Sequence, residues 1–290
     1  MTEPVVLDVG AGGLERVRVS GPRADAEVYL QGAHVTGWTP RGAAPVIFLS
    51  RRAVYAPGKA IRGGVPVIFP WFGPHATDRA RPMHGFARTR PWRLAATESL
   101  PDGRVTVALA LDDDDATRAL WPHTFQARYR VAIGDVLEMT LEVTNTGRAP
   151  FSFEAALHTY LAVADVAAVE VHGLENTVYV DKVDGTARKR HGPGPLRLTG
   201  ETDRVFLATR ARCAVHDPGL RRRLVVDKTG SATTVVWNPW SAKARDIADL
   251  EPDAWRRMLC VETANAADDA VTLPAGARHV MTATLGVEPA

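Results

Sequence analysis

Three places along this 290-residue chain hold residue types for which an ordinary core has no use. Residues 61–93 set Arg62 beside Gly63 and Gly64, then bracket Gly85 and Phe86 between His84 and Arg88. Guanidinium groups next to bare backbone suit an anionic or hydroxyl-rich ligand that approaches the chain closely. The pattern reads as a pocket for a sugar phosphate. His158 lies in FSFEAALHTYL, where strand alternation puts Phe151, Phe153, Ala155, Leu157, Thr159 and Leu161 on one face. Ser152, Glu154, Ala156, His158 and Tyr160 share the other, more polar face. Its ordinary pKa near neutrality makes His158 a candidate general acid, with a hydrogen-bonded structural histidine as the competing reading. Glu262 sits amid Met258, Leu259, Cys260 and Val261, where desolvating an unpaired charge is costly. Either an arginine pairs with it, or partial burial raises its pKa and makes it a base.

Weaker candidates surround these. Asp203, in ETDRV, could accept hydrogen bonds from hydroxyls, against pairing with Arg204 or a turn role. Gln31, in QGAHVTGW, is a further polar candidate. Trp71, Phe72, Phe86, Trp237 and Trp240 could stack on sugar C–H faces, with core packing as the competing role. GxGxxG and GxxxxGK[ST] loops, HExxH and GxSxG are all absent. Neither a metal nor a nucleotide cofactor is expected.

The elements that must position these groups read as strands. Period-two alternation is clearest at 136–144, VLEMTLEVT, followed by a turn at Asn145-Thr146-Gly147. Similar runs occur at 105–111, 125–133, 153–163, 169–173, 177–183, 213–217, 222–227, 233–238, 258–263 and 277–286. Helix signals are confined to 112–121, whose acidic start suits the dipole, and a turn or two at 252–258. The GPGP at 192–195 reads as a loop. The helix–strand alternation of a parallel sheet is missing, so the expectation is an all-β chain, a large antiparallel β-sandwich with a few short helices. No fixed-length repeat or linker divides the sequence, and residues 1–290 read as one domain.

Composition narrows the class. Apolar content of 46% and charged content of 23% suit a folded protein. A net charge of +2, with basic residues dispersed, argues against a nucleic-acid or membrane surface. The excess of Arg over Lys is attributed to coding bias. Cys213 and Cys260 are the only cysteines, read as two reduced thiols. The N-terminus MTEPVVLDVG lacks a signal-like apolar region, and no run approaches a membrane span, so a cytoplasmic location is expected.

Taken in order, QGAHVTGW, IRGGVPVIFPWFG, HGFAR, FEAALHTYLAV, ETDRV, VVWNPW and LCVETAN resemble segments of the aldose 1-epimerase superfamily. The resemblance runs from about residue 27 to residue 286 and is strongest to the glucose-6-phosphate 1-epimerase (hexose-6-phosphate mutarotase) branch. It implies a galactose mutarotase-like sandwich with the sugar held across one sheet. It implies His158 as general acid, Glu262 as general base, and Arg62, Arg88, His84 and Asp203 as substrate-binding residues. The implied reaction is exchange of the α and β anomers of a hexose 6-phosphate by a monomer without cofactors. A free-aldose epimerase and a non-catalytic sugar-binding protein are the alternatives. Thr263 stands where many members carry proline, and Phe206 near a common tyrosine; neither touches a proposed catalytic atom.

Overall fold

The structure, a computed structural model, describes residues 5–290. The first four residues of the segment read as free of a secretory signal lie outside the described residues. Two eight-stranded antiparallel sheets dominate. The first runs Ala187–Arg190, Val178–Asp181, Thr202–Phe206, Thr233–Asn238, Met258–Asn265, Ala155–Leu157 and Val67–Ile68, with Tyr160–Ala162 also paired to Met258–Asn265. The second runs Glu170–His172, Cys213–Asp217, Arg222–Thr229, Arg278–Pro289, Leu137–Asn145, Phe125–Ile133, Val105–Asp112 and Arg93–Ser99.

Alternation explains why these sheets stack. Val236 and Val261 of the first sheet and Val143, Val171, Val215 and Leu285 of the second enter one hydrophobic cluster. Each such side chain contributes roughly 1.5–3 kcal/mol when fully buried. Neighbours one position away in sequence therefore face outward. On the first sheet these include Asp203, Val235 and Glu262, which share a face because Asp203 is opposite Trp237 and Val235 opposite Glu262. The large antiparallel sandwich expected from the sequence is what forms.

A four-stranded sheet, Val5–Val9, Glu15–Ser20, Ala24–Tyr29 and His34–Pro40, was not anticipated. It alternates as clearly as the other strands: Val17 and Val19 are buried, while Arg16 and Arg18 pair with Asp8 on the opposite face. The acidic run does start a helix, Asp115–Leu120, capped reciprocally by Asp114 and Thr117. Residues 252–258 contribute a 3₁₀ turn, Ala254–Arg257. The helix Trp240–Asp246 escaped the sequence reading because it is seven residues long and has no side-chain N-cap bond of its own.

One further departure concerns the site. The segment expected as a single strand at 153–163 belongs to three, Phe151–Phe153, Ala155–Leu157 and Tyr160–Ala162. Glu154 interrupts the first break: its carboxylate accepts from the Phe72 and Ala267 amides. At the second break the Thr159 amide turns back to the Leu157 carbonyl at 2.9 Å. Among the described residues, no helix is long and apolar enough to cross a membrane.

Candidate active site

All eight residues of Met258–Asn265 are buried, and this strand forms the floor of the site. Leu157 pairs with Thr263 and Tyr160 with Cys260, so the register is the same on both sides of the break. His158 therefore stands opposite Glu262 on the neighbouring strand, where cross-strand side chains meet. Its Nε2 lies 3.4 Å from Glu262 Oε1. The His158 amide is held by the Pro66 carbonyl at 3.0 Å. Its imidazole stacks on Tyr160, centroids 4.8 Å apart and planes 13° off parallel, with the edges of Trp237 and His84 against it. The ring has little freedom to turn.

An open cleft of about 290 Å³ lies over this pair. Arg62, His84, Arg88 and Asp203 all line it, as do His158 and Glu262. Gln31 does not; its side-chain amide is spent on the Ala56, Lys59 and Thr89 carbonyls, and the residue is 5% exposed. It ties a loop to the sheet and is withdrawn as a ligand-binding candidate. The glycines of the opening stretch also serve packing. A Cβ on Gly64 (φ +67°) would lie 2.3 Å from His34 Nε2, and one on Gly85 (φ +70°) would lie 2.1 Å from the Phe69 carbonyl oxygen. Bare backbone is needed there against the protein itself. The glycine that does line the cleft is Gly73.

Arg62 is held by Asp249 at 3.0 Å and donates from Nη1 to the Tyr160 hydroxyl at 3.2 Å. Arg88 donates from Nη2 to the Met83 carbonyl, and its buried Nε has no protein partner. His84 Nδ1 accepts from the Gly73 amide at 3.0 Å, so a neutral His84 carries its proton on Nε2. Asp203 does not pair with Arg204, whose guanidinium lies over the Tyr179 ring. Phe72 and Trp237 reach the cleft, whereas Trp71 and Phe86 join the core and Trp240 packs on Trp255.

Two cations were missed. Lys182 rests over the Phe72 ring at 4.8 Å, and Lys243 pairs with Glu201 at 2.6 Å; both line the cleft. The chain holds only five lysines, and two of them are here. In a sequence that otherwise uses arginine, that scarcity was the available signal.

The electrostatics follow from burial. His158 is pushed down to about 3, by desolvation first and then by Arg88 and Arg62. The Glu262 carboxyl is pushed well above the usual range, again by desolvation first, with Asp203 acting in the same sense and Lys182 and Arg88 against it. Asp203 is raised by burial, opposed by Lys182 and Lys243. Glu262 Oε2 and His158 Nδ1 have no hydrogen-bond partner in the protein. A carboxyl whose hold on its proton is strengthened, 3.4 Å from an imidazole, forms a pair between which a proton can pass, which suits general acid–base chemistry. His158, Cys260 and Glu262 also place one donor atom each within 4.8 Å of one another. However, burial followed by Glu262 raises the Cys260 thiol well above its ordinary value, which disfavours the thiolate a metal would need.

Comparison with known proteins gives this geometry a lineage. Residues 15–285 match the family model for aldose 1-epimerase. The chain belongs to the aldose 1-epimerase family. A relative from Cenchrus ciliaris, provisionally named a glucose-6-phosphate 1-epimerase, is 37% identical over 273 residues, covering 91% of this chain and 82% of the relative. A protein of the same provisional name from Escherichia coli K12 is 36% identical over 255 residues, covering 88% and 84%. The crystal structure of a provisionally named mutarotase from Salmonella typhimurium superimposes with a TM-score of 0.93 at 33% identity, covering 100% of this chain and 95% of that one. A galactose mutarotase-like protein from Clostridium acetobutylicum, 13% identical with a TM-score of 0.75, shares the epimerase-family fold.

Proposed function

We propose that this aldose 1-epimerase family member interconverts the α and β anomers of a hexose 6-phosphate, glucose 6-phosphate foremost. Glu262 is the general base and His158 the general acid. The observation that carries this reading is His158 directly across from Glu262 beneath a cleft lined by four cations and one further carboxylate. The excess of positive charge favours a dianionic substrate over a neutral one. The names given to the Cenchrus ciliaris and Escherichia coli relatives agree with it.

Arg62 and Arg88 hold the phosphate, and Asp203 and His84 Nε2–H meet ring hydroxyls. A phosphate dianion beside the arginines offsets the charges that add to burial in keeping His158 unprotonated, so the proton of the Glu262 carboxyl passes to His158 Nε2, 3.4 Å away, and substrate arms acid and base together. The Glu262 carboxylate then takes the proton from the anomeric O1–H. The C1–O1 carbonyl forms, the C1–O5 bond breaks, and O5 receives the proton of the His158 imidazolium. Rotation about C1–C2 turns the aldehyde, and the reverse transfers close the ring on its other face. Each positioned acid or base contributes roughly 100- to 10,000-fold, and holding the sugar in place adds to this. The groups named here all come from one chain, which suits a monomer.

The test is saturation-transfer NMR between the anomeric protons of glucose 6-phosphate and, in parallel, of glucose. Faster exchange of the phosphosugar with enzyme present is expected. Equal acceleration of both sugars would move the assignment to a free-aldose epimerase, and no acceleration of either would leave only sugar binding.

A further inference from the structure

On the second sheet, Glu170 pairs with His216 in register, and His172 follows two residues later on the same face. Val171 and Val215, between them, point into the shared core. The three side chains therefore project from the outer face of the second sheet, and none of them lines the sugar cleft. One donor atom from each lies within 4.8 Å of the others. His172 Nε2 is 3.2 Å from Glu170 Oε2, a spacing close to the edge of a tetrahedron around a metal with bonds of about 2.1 Å. Glu175 Oε1 approaches His172 Nδ1 at 3.7 Å and holds the ring from its other side. All three groups are partly buried, so their rotamers are already restricted.

We propose that Glu170, His172 and His216 form a binding site for a divalent transition metal such as Zn²⁺, separate from the sugar cleft. Two imidazole nitrogens and one carboxylate oxygen are a donor set for zinc, nickel or copper, with an open position for water. The two imidazole rings lie 4.3 Å apart at 32°, and a nitrogen of each is within reach of one ion. Arg197 competes for Glu170, but it takes Oε1 and leaves Oε2 toward His172. The site would fasten the edge strand Glu170–His172 to Cys213–Asp217 from outside, so its consequence is stability.

The experiment is titration of the metal-free full chain with Zn²⁺ by calorimetry and thermal melting at pH 7.5. Saturable one-to-one uptake that raises the melting temperature is expected, reversed by EDTA. Uptake should be lost in His172→Ala and in His216→Ala and kept in Cys260→Ser. No uptake by the parent chain, or uptake that persists in both histidine variants, would overturn the site. Loss in Cys260→Ser alone would put the metal in the sugar cleft and overturn it equally. Anomer exchange plays no part in these readouts, so the result stands apart from the proposed activity.

Discussion

Replacing Arg88 with alanine separates recognition of phosphate from recognition of sugar. Arg88 Nε is buried without a protein partner, and Nη2 is engaged only with the Met83 carbonyl. The guanidinium is thus poised to receive an anion at little cost in reorganisation. A hydrogen bond to a charged group is worth about 1.5–3 kcal/mol. At about 1.4 kcal/mol per tenfold, KM for glucose 6-phosphate should rise by roughly 10- to 150-fold. KM for glucose, which has no phosphate to lose, should stay near that of the parent. A second readout comes from the same substitution. Arg88 is the foremost charge holding His158 unprotonated, so its removal should move the His158 step of the kcat/KM profile to higher pH. Both quantities come from anomer exchange measured by NMR or polarimetry across pH. An equal rise of KM for the two sugars would refute the phosphate assignment. An unmoved pH profile would refute the electrostatic link between Arg88 and His158.

Four further outcomes follow from the site and the core. Glu262→Gln and His158→Asn should each reduce anomer exchange by about 100-fold or more with the circular dichroism spectrum unchanged; near-parental turnover in either would remove that residue from the chemistry. Glu262→Gln should also be more thermostable than the parent at pH 7–8. A carboxyl whose folded pKa lies above its unfolded value costs stability once pH exceeds the unfolded value, so the gain should vanish toward pH 4. Each 1 kcal/mol gained shifts Tm by about 2–4 °C in a chain approaching this size. His34, fully buried against the Gly63 carbonyl, is pushed down to about 4, so the unfolded chain binds its proton first and stability falls as pH drops from about 6.5 to 4. In urea titrations His34→Asn should lower the pH slope of stability in that window by up to about 1.4 kcal/mol per pH unit; an unaltered slope would show that His34 is not held neutral. Tyr160→Phe, which keeps the ring stacked on His158 but removes the hydroxyl that accepts from Arg62, should raise KM more than it lowers kcat; the opposite split would give the hydroxyl a part in the chemical step.

The parts of this molecule that were legible in its sequence are those governed by local period. VLEMTLEVT shows its strand and both of its faces in nine letters, and the structure gives Leu137–Asn145. The outward direction of His158 and Glu262 could likewise be read from alternation. That they are directly opposite could not, because register between distant strands is set by the packing of whole sheets. The Val5–Pro40 region was legible but overlooked, since its charged residues masked an equally regular alternation. Gln31 and the glycines of the opening stretch mislead for one reason. A polar or small residue near arginines serves backbone packing as readily as ligand contact, and the two uses look the same in sequence. Three strands of the first sheet separate Glu170 and His172 from His216 in the sequence, so only the E-x-H spacing of the first two members was visible beforehand.

Because the acid and the base belong to adjacent strands of one sheet, their separation is a property of the ladder and not of any loop. A slip of one residue would turn one of the pair into the core, and a slip of two would break several cross-strand contacts at once. Acquiring a different sugar is therefore cheap only at the rim, where Gly73, Lys182 and Lys243 stand on turns and a short helix. Descendants of this scaffold would be expected to change their clientele while leaving the proton relay untouched.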